Sequence, residues 1–185
     1  MRILACADLH GVSERIECVR DLIAETSPEV VLLAGDLAGY DEEGAALDAL
    51  RSPVPVLGVG GNMDGPGLVA ELLRRGWLLD DEPRAVGGFT FGGPAVRGPC
   101  DVLVSHFPPK GTLDATPSGD HLGSIRVREL MRTLGPRVLV CGHVHESPGV
   151  ERAGSTLVAN CSMGAGRARG ALILLTGDDA TAELL

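Results

Sequence analysis

Five short apolar runs, RILACA, VVLLA, VPVLGV, DVLVSH and RVLVCG, each lead within a few residues to a carboxylate, amide or imidazole side chain. Runs of this length with no polar alternation fit strands buried on both faces, the kind found in parallel sheets covered by helices. The segments between them supply the helices. Ile16, Val19, Leu22 and Ile23 recur at helical spacing after the first run, and a short helix is predicted through EEGAALDALR. Leu68, Val69, Leu72 and Leu73 mark a further helix, as do Val127, Leu130, Met131 and Leu134. This β-α-β-α-β opening implies a parallel sheet with helical crossovers. RAVGGFTFGG then reads as a hairpin with a glycine turn, FPPKGTLDATPSGDHLGS as a long loop, and VERAGSTLVAN with ARGALILLTG as a meander of antiparallel strands. No repeat or linker divides the chain, so residues 1–185 are expected to form one domain with two sheets.

The polar residues at the ends of these runs form a set. Asp8 and His10 follow the first run, Asp36 the second, and Asn62 and Asp64 the third; His106 closes DVLVSH, and His143 and His145 follow RVLVCG. Open α/β sheets hold their ligands at the carboxyl ends of the strands. In extended backbone, residues separated by one point to the same side, which would make Asp8 with His10, and His143 with His145, two-pronged units. Two aspartates, one asparagine and four histidines gathered near a core are costly unless paired, and a metal site removes that cost. Seven ligands exceed what one ion usually takes from protein; two ions sharing a carboxylate fit the number.

Composition narrows the partners. A formal net charge of -9 leaves no basic surface for nucleic acid. The opening MRILACADLHG is too short in apolar character for a signal segment, and no stretch reaches bilayer-spanning length, so a cytoplasmic protein with no membrane partner is expected. The five cysteines are scattered with no C-x-x-C pair; Cys6, Cys141 and Cys161 read as small core residues in a reducing compartment.

The ordered series DLH, GD, GNMD, SH and GHVH, from Asp8 to His145, resembles the calcineurin-like metallophosphoesterase superfamily. SHFPPKGTLD, HLGS and GHVHES are similar to the loops of its small uncapped bacterial and archaeal phosphoesterases. The resemblance implies a four-layer αββα sandwich with two mixed β-sheets. It assigns one divalent ion to Asp8, His10, Asp36 and His145 and another to Asp36, Asn62, His106 and His143, with Asp36 bridging. It thus makes His143 and His145 a fork serving two ions, preceded by a glycine that lets the backbone turn. Asp36, Asn62 and His106 would position phosphate and a bridging hydroxide that attacks phosphorus in line. Mixed nitrogen and oxygen ligands favour Mn first, then Fe, Zn, Co or Ni, over Mg.

One position departs from the pattern. The residue after GN is often a histidine that protonates the leaving oxygen; here it is Met63, and a thioether donates no proton. His121, with Asp114 nearby in sequence, is the candidate surrogate acid. Asp64 reads as a solvated or capping carboxylate before GPGLVAELL, and Asn160 as a turn residue or a site neighbour. LAGYDEE lacks the arginine of the protein phosphatase branch, and apart from Lys110 the ligand loops carry no cation. The expected function is a phosphodiesterase acting on small phosphate esters, with no duplex nucleic acid as partner. The alternatives are a phosphomonoesterase of the same fold and a non-catalytic metal-binding scaffold.

Overall fold

The computed structural model describes residues 1–39, 45–50, 52–177 and 179–185. In chain order the elements are β1 (Arg2–Cys6), α1 (Ser13–Thr26), β2 (Val30–Ala34), α2 (Ala45–Ala49), β3 (Val56–Val59), α3 (Pro66–Arg74), β4 (Arg84–Val86), β5 (Phe89–Gly92), β6 (Val102–Val104), α4 (Ile125–Leu134), β7 (Val138–Cys141), β8 (Gly149–Ala153), β9 (Thr156–Asn160), β10 (Ala171–Leu175) and β11 (Ala180–Leu184). The start of the helix expected through EEGAALDALR, the residue Arg51 that ends it, and most of LAGYDEE lie outside the described residues.

Two mixed sheets result. The first runs β11-β10-β1-β2-β3 and the second β4-β5-β6-β7-β9-β8. β1, β2 and β3 are parallel, as are β5, β6, β7 and β9, while β4, β8, β10 and β11 pair antiparallel with their neighbours. The continuous apolar runs have a direct cause: successive residues of each central strand feed two different cores. Ile3, Leu32, Phe91, Val102, Val140 and Ile173 fill the space between the sheets. Leu4 and Leu33 pack outward against Val19, Leu22, Leu68 and Leu72 of α1 and α3, and Leu103, Leu139 and Val158 pack outward against Val127 and Met131 of α4. The layers are therefore helix, sheet, sheet and helix. Cys6, Cys141 and Cys161 are buried, free thiols in these layers.

Three expectations need correction. The chain after β9 does not continue a meander: β10 leaves the β8–β9 hairpin and enters the first sheet beside β1, with Ile3 opposite Ile173. An apolar strand satisfies either neighbour, so sequence alone does not choose between them. β11 is an additional strand with a weak sequence signal, because its alternate residues Thr181 and Glu183 face solvent at a sheet edge. In α3 only Leu68 and Leu72 are buried, whereas Leu73 is 64% exposed. The RAVGGFTFGG hairpin is as expected, and Gly87 and Gly88 both take the left-handed φ values, 57° and 85°, that a tight two-residue turn demands.

Phe91 is fully buried between the sheets. Phe91→Ala should cost about 3–5 kcal/mol, seen as a lower urea midpoint at unchanged slope; a shift within error would mean that the two sheets do not share one core.

Candidate metal centre

The carboxyl ends of both parallel sets meet at one edge. The loops after β1 and β2 keep pairing beyond their strands, with Asp8 N–H donating to Gly35 O at 3.0 Å and His10 N–H to Asp36 O at 2.9 Å. The two sheets are joined there as well, since Met163 N–H donates to Ala7 O at 3.1 Å. The backbone is not extended at this edge. Asp8, His10, Asp36 and His143 have φ of 61°, 51°, 52° and 69°, and only Ser27 and Leu113 share the left-handed region among described non-glycine residues. Each such residue costs about 1–3 kcal/mol and persists only where its surroundings enforce it. The two-pronged units thus arise from left-handed turns rather than from strand alternation.

These turns bring acceptors face to face. His145 Nε2 lies 3.4 Å from Asp8 Oδ1 and 3.3 Å from His10 Nε2. His106 Nε2 lies 2.9 Å from Asn62 Oδ1, 3.3 Å from Asp36 Oδ2 and 3.3 Å from His143 Nδ1. His106 Nδ1 is 3.0 Å from Ala34 O, which can only accept, so Nδ1 holds the ring proton and Nε2 of the neutral ring presents a lone pair. Two groups of donor atoms, Asp8–His10–His145 and Asp8–Asp36–His106, each lie within 4.8 Å of one another. Lone pairs at these distances repel unless a cation or a proton sits among them, so the donor set fits divalent ions. His143 and His145 turn toward different groups. Asp8 is common to both, whereas the resemblance assigns sharing to Asp36.

A model of the calcineurin-like phosphoesterases matches residues 1–147, a span that contains all seven candidate ligands. The chain belongs to the calcineurin-like phosphoesterase family. It is similar to an uncharacterised protein of Methanocaldococcus jannaschii, at 26% identity covering 88% of each chain. Among solved structures, the TT1561 protein of Thermus thermophilus superposes with a TM-score of 0.73 at 16% identity, covering 99% of this chain and 98% of that one. A protein described as a novel archaeal phosphodiesterase superposes with a TM-score of 0.62 at 18% identity over 100% of both. These likenesses establish the fold, and the family makes the chain a metal-dependent phosphoesterase.

Without metal, the groups of this cluster shift one another's proton affinity in opposite directions. Burial opposes a charged His106, but its hydrogen bond to Asp36 and the charges of Asp36 and Asp8 outweigh that and raise its pKa. The hydrogen bond to Asp8 raises His145 against its burial. Burial lowers His10 and His143, and neighbouring imidazoles lower them further. Burial pushes Asp36 upward, yet hydrogen bonds from His106 and the Met63 N–H, at 2.8 Å for the latter, leave it below the usual carboxylate range.

Several residues hold the ligands in place. Asp64 is not a helix cap: its Oδ1 accepts from Leu37 and Ala38 N–H at 2.9 and 3.2 Å and its Oδ2 from Gly61 N–H at 2.8 Å, clamping the second ligand loop to the third. Burial raises its pKa despite those bonds. Asn160 is fully buried and donates to Val144 O at 3.0 Å, fixing the residue between the two fork histidines. Arg15, on the face of α1, donates to Asp8 O at 2.9 Å and Gly164 O at 2.8 Å; nothing in its sequence setting signals this. Gly142 serves close approach rather than a turn, because a Cβ there would lie 2.7 Å from Asp8 Oδ2. His121 stands apart: it pairs with buried Asp114 at 2.7 Å, is half exposed, and makes no hydrogen bond or ion pair with the seven ligands among the described residues.

A metal held by His106 and His145 would compete with protons whose binding the neighbouring carboxylates favour. Mn²⁺ affinity should therefore weaken on acidification, by about tenfold per pH unit for each proton displaced below its pKa. Calorimetry in buffers of different ionisation enthalpy should detect the proton release, and an affinity that is flat from about pH 5 to 8 would contradict this. Asp64→Ala should cost about 1–3 kcal/mol for the N–H groups left unsatisfied and should also weaken Mn²⁺ binding; full stability in urea with unaltered affinity would rule out the clamp.

Proposed function

We propose that this chain, residues 1–185 acting as one domain, is a dinuclear phosphodiesterase for small phosphate esters, with manganese the favoured metal. Asp8, His10, Asp36 and His145 would hold one ion and Asp36, Asn62, His106 and His143 the other. When bound, the ions supply a water-derived nucleophile near neutral pH and neutralise charge on the phosphate. The protein contributes rigidity. Ala34 O fixes the His106 tautomer, the Met63 N–H fixes Asp36, and the His143 N–H donates to Asp8 Oδ2 at 3.0 Å. Unbridged buried thiols support a reducing compartment such as the cytoplasm.

The observation that carries the diester reading is Met63. Its backbone is hydrogen-bonded to a candidate ligand, its side chain is partly exposed, and it has no proton to give to a departing oxygen. His121 is tied to Asp114 and makes no hydrogen bond to the candidate ligands among the described residues. General acid catalysis is worth about 10²–10⁴-fold, and its loss weighs most on alkyl monoesters with poor leaving groups. The superposable archaeal phosphodiesterase also supports the reading.

Metal-stripped protein reconstituted with Mn²⁺ should hydrolyse bis(p-nitrophenyl) phosphate faster than p-nitrophenyl phosphate. Asp36→Asn should lower that rate at least about 100-fold. Met63→His should raise turnover of alkyl monoesters by up to about 100-fold. Faster hydrolysis of alkyl monoesters than of diesters by the unaltered protein would overturn the diester assignment, and Mn²⁺-loaded protein inactive on every ester would favour a scaffold.

A further inference from the structure

A cavity of about 460 Å³ opens beside the candidate centre, bordered by Asn62 and His106. That volume falls within the range of sites for small organic ligands, about 300–1,000 Å³, and is far larger than a phosphate group needs. Pro94, Phe107 and Val127 give it apolar walls. The Phe107 ring packs on His143 and His106, with centroids 4.3 and 5.3 Å apart, so this wall is fixed to the ligand cluster. Arg126 also lines the cavity, and no carboxylate lines it among the described residues. Arg126 lies in the first turn of α4, whose start is held by Ser124 accepting from Val127 N–H at 3.2 Å.

Arg126 shares with Arg2 and Arg20 the lack of an ion pair or side-chain hydrogen bond among the described residues, and of these three it alone lines this cavity. Arg15, Arg74, Arg75, Arg84, Arg97, Arg137, Arg152 and Arg169 all bond carboxylates or carbonyls. Arg126 is exposed and makes no ion pair or side-chain hydrogen bond among the described residues, in a protein of formal net charge -9. An uncommitted guanidinium over an apolar cavity suits a ligand with an apolar body and an anionic end, because arginine binds carboxylate or phosphate through two parallel N–H groups.

We propose that this cavity receives the leaving group of the ester, and that Arg126 is a specificity-determining residue that selects leaving groups carrying a second anionic group on a flat apolar body. The proposal rests on the reading of Asn62 and His106 as the phosphate-facing edge of the centre. It also supplies a guanidinium, which the ligand loops, with Lys110 as their one cation, do not carry.

The test uses Mn²⁺-loaded protein and a matched pair of diesters, phenyl 4-carboxyphenyl phosphate and phenyl 4-(methoxycarbonyl)phenyl phosphate, with release of 4-hydroxybenzoate or of its methyl ester followed chromatographically. The unaltered protein should favour the carboxylate in kcat/KM by at least about tenfold, and the preference should shrink as salt is raised. Arg126→Gln should bring the ratio to about one, Arg126→Lys should keep part of it, and Arg20→Gln, a distant control, should keep all of it. Turnover of both esters without preference in the unaltered protein would overturn the role of Arg126 and leave the phosphodiesterase reading standing. If neither ester is turned over, calorimetric binding of 4-carboxyphenyl phosphate against its methyl ester decides: tighter binding that is lost in Arg126→Gln supports the cavity assignment, and equal binding overturns it.

Discussion

Imidazole, carboxylate and amide groups crowded to about 3 Å around His106 Nε2 and His145 Nε2 are the constraint on which the rest of this structure depends. Such an arrangement opposes folding until a cation or proton enters it, and the four left-handed ligand residues add to the cost. The two sheets offset it. Every ligand follows a strand that is buried on both faces, and the strands are tied to one another beyond their ends by backbone bonds such as Gly142 N–H to His106 O and Cys161 N–H to Cys141 O, at 3.0 and 2.9 Å. Preorganisation of this kind is what allows a metal to bind without reordering the chain.

The division of labour among polar residues follows from burial. Those that face the centre are acceptors, while those behind it either donate to the ligands or lock their loops. Arg15, Asp64 and Asn160 each join two segments far apart in sequence and leave the ligand atoms themselves free. The loop that holds Asp114 and His121 is closed by its own bonds, with Asp114 Oδ2 accepting from Gly111 and Gly123 N–H at 3.0 and 3.1 Å. Its histidine pairs with Asp114 at 2.7 Å within that loop.

Much of this is legible in the sequence, for a physical reason. Double-sided burial removes alternation, so RILACA, VVLLA and RVLVCG announce parallel strands, and the carboxyl ends of those strands announce where polar residues will gather. What the sequence hides is equally specific. The left-handed turns at Asp8 and His143 are imposed by tertiary contacts and leave no local pattern. Asp64 sits where a helix cap would sit and has the side chain of one. The neighbour of β10 is undecided until the chain folds, because an apolar strand fits either sheet. Arg15 and Arg126 are helix-surface cations with no periodic signature, and only folding brings them to the ligand loops.

The sealed thiols behind the cluster also bear on which metals the site accepts. Cys6, Cys141 and Cys161 are fully buried within the layers that carry the ligand loops, and burial raises each well above its ordinary pKa. Cysteine sulfur binds metals as the thiolate, and here a thiolate could form only by moving a proton out of the apolar core. The chain therefore keeps soft donors close at hand while withholding them. A thiophilic ion such as Cu(I) gains no foothold from those cysteines, and the donors offered at the candidate centre are imidazole, carboxylate and the Asn62 amide.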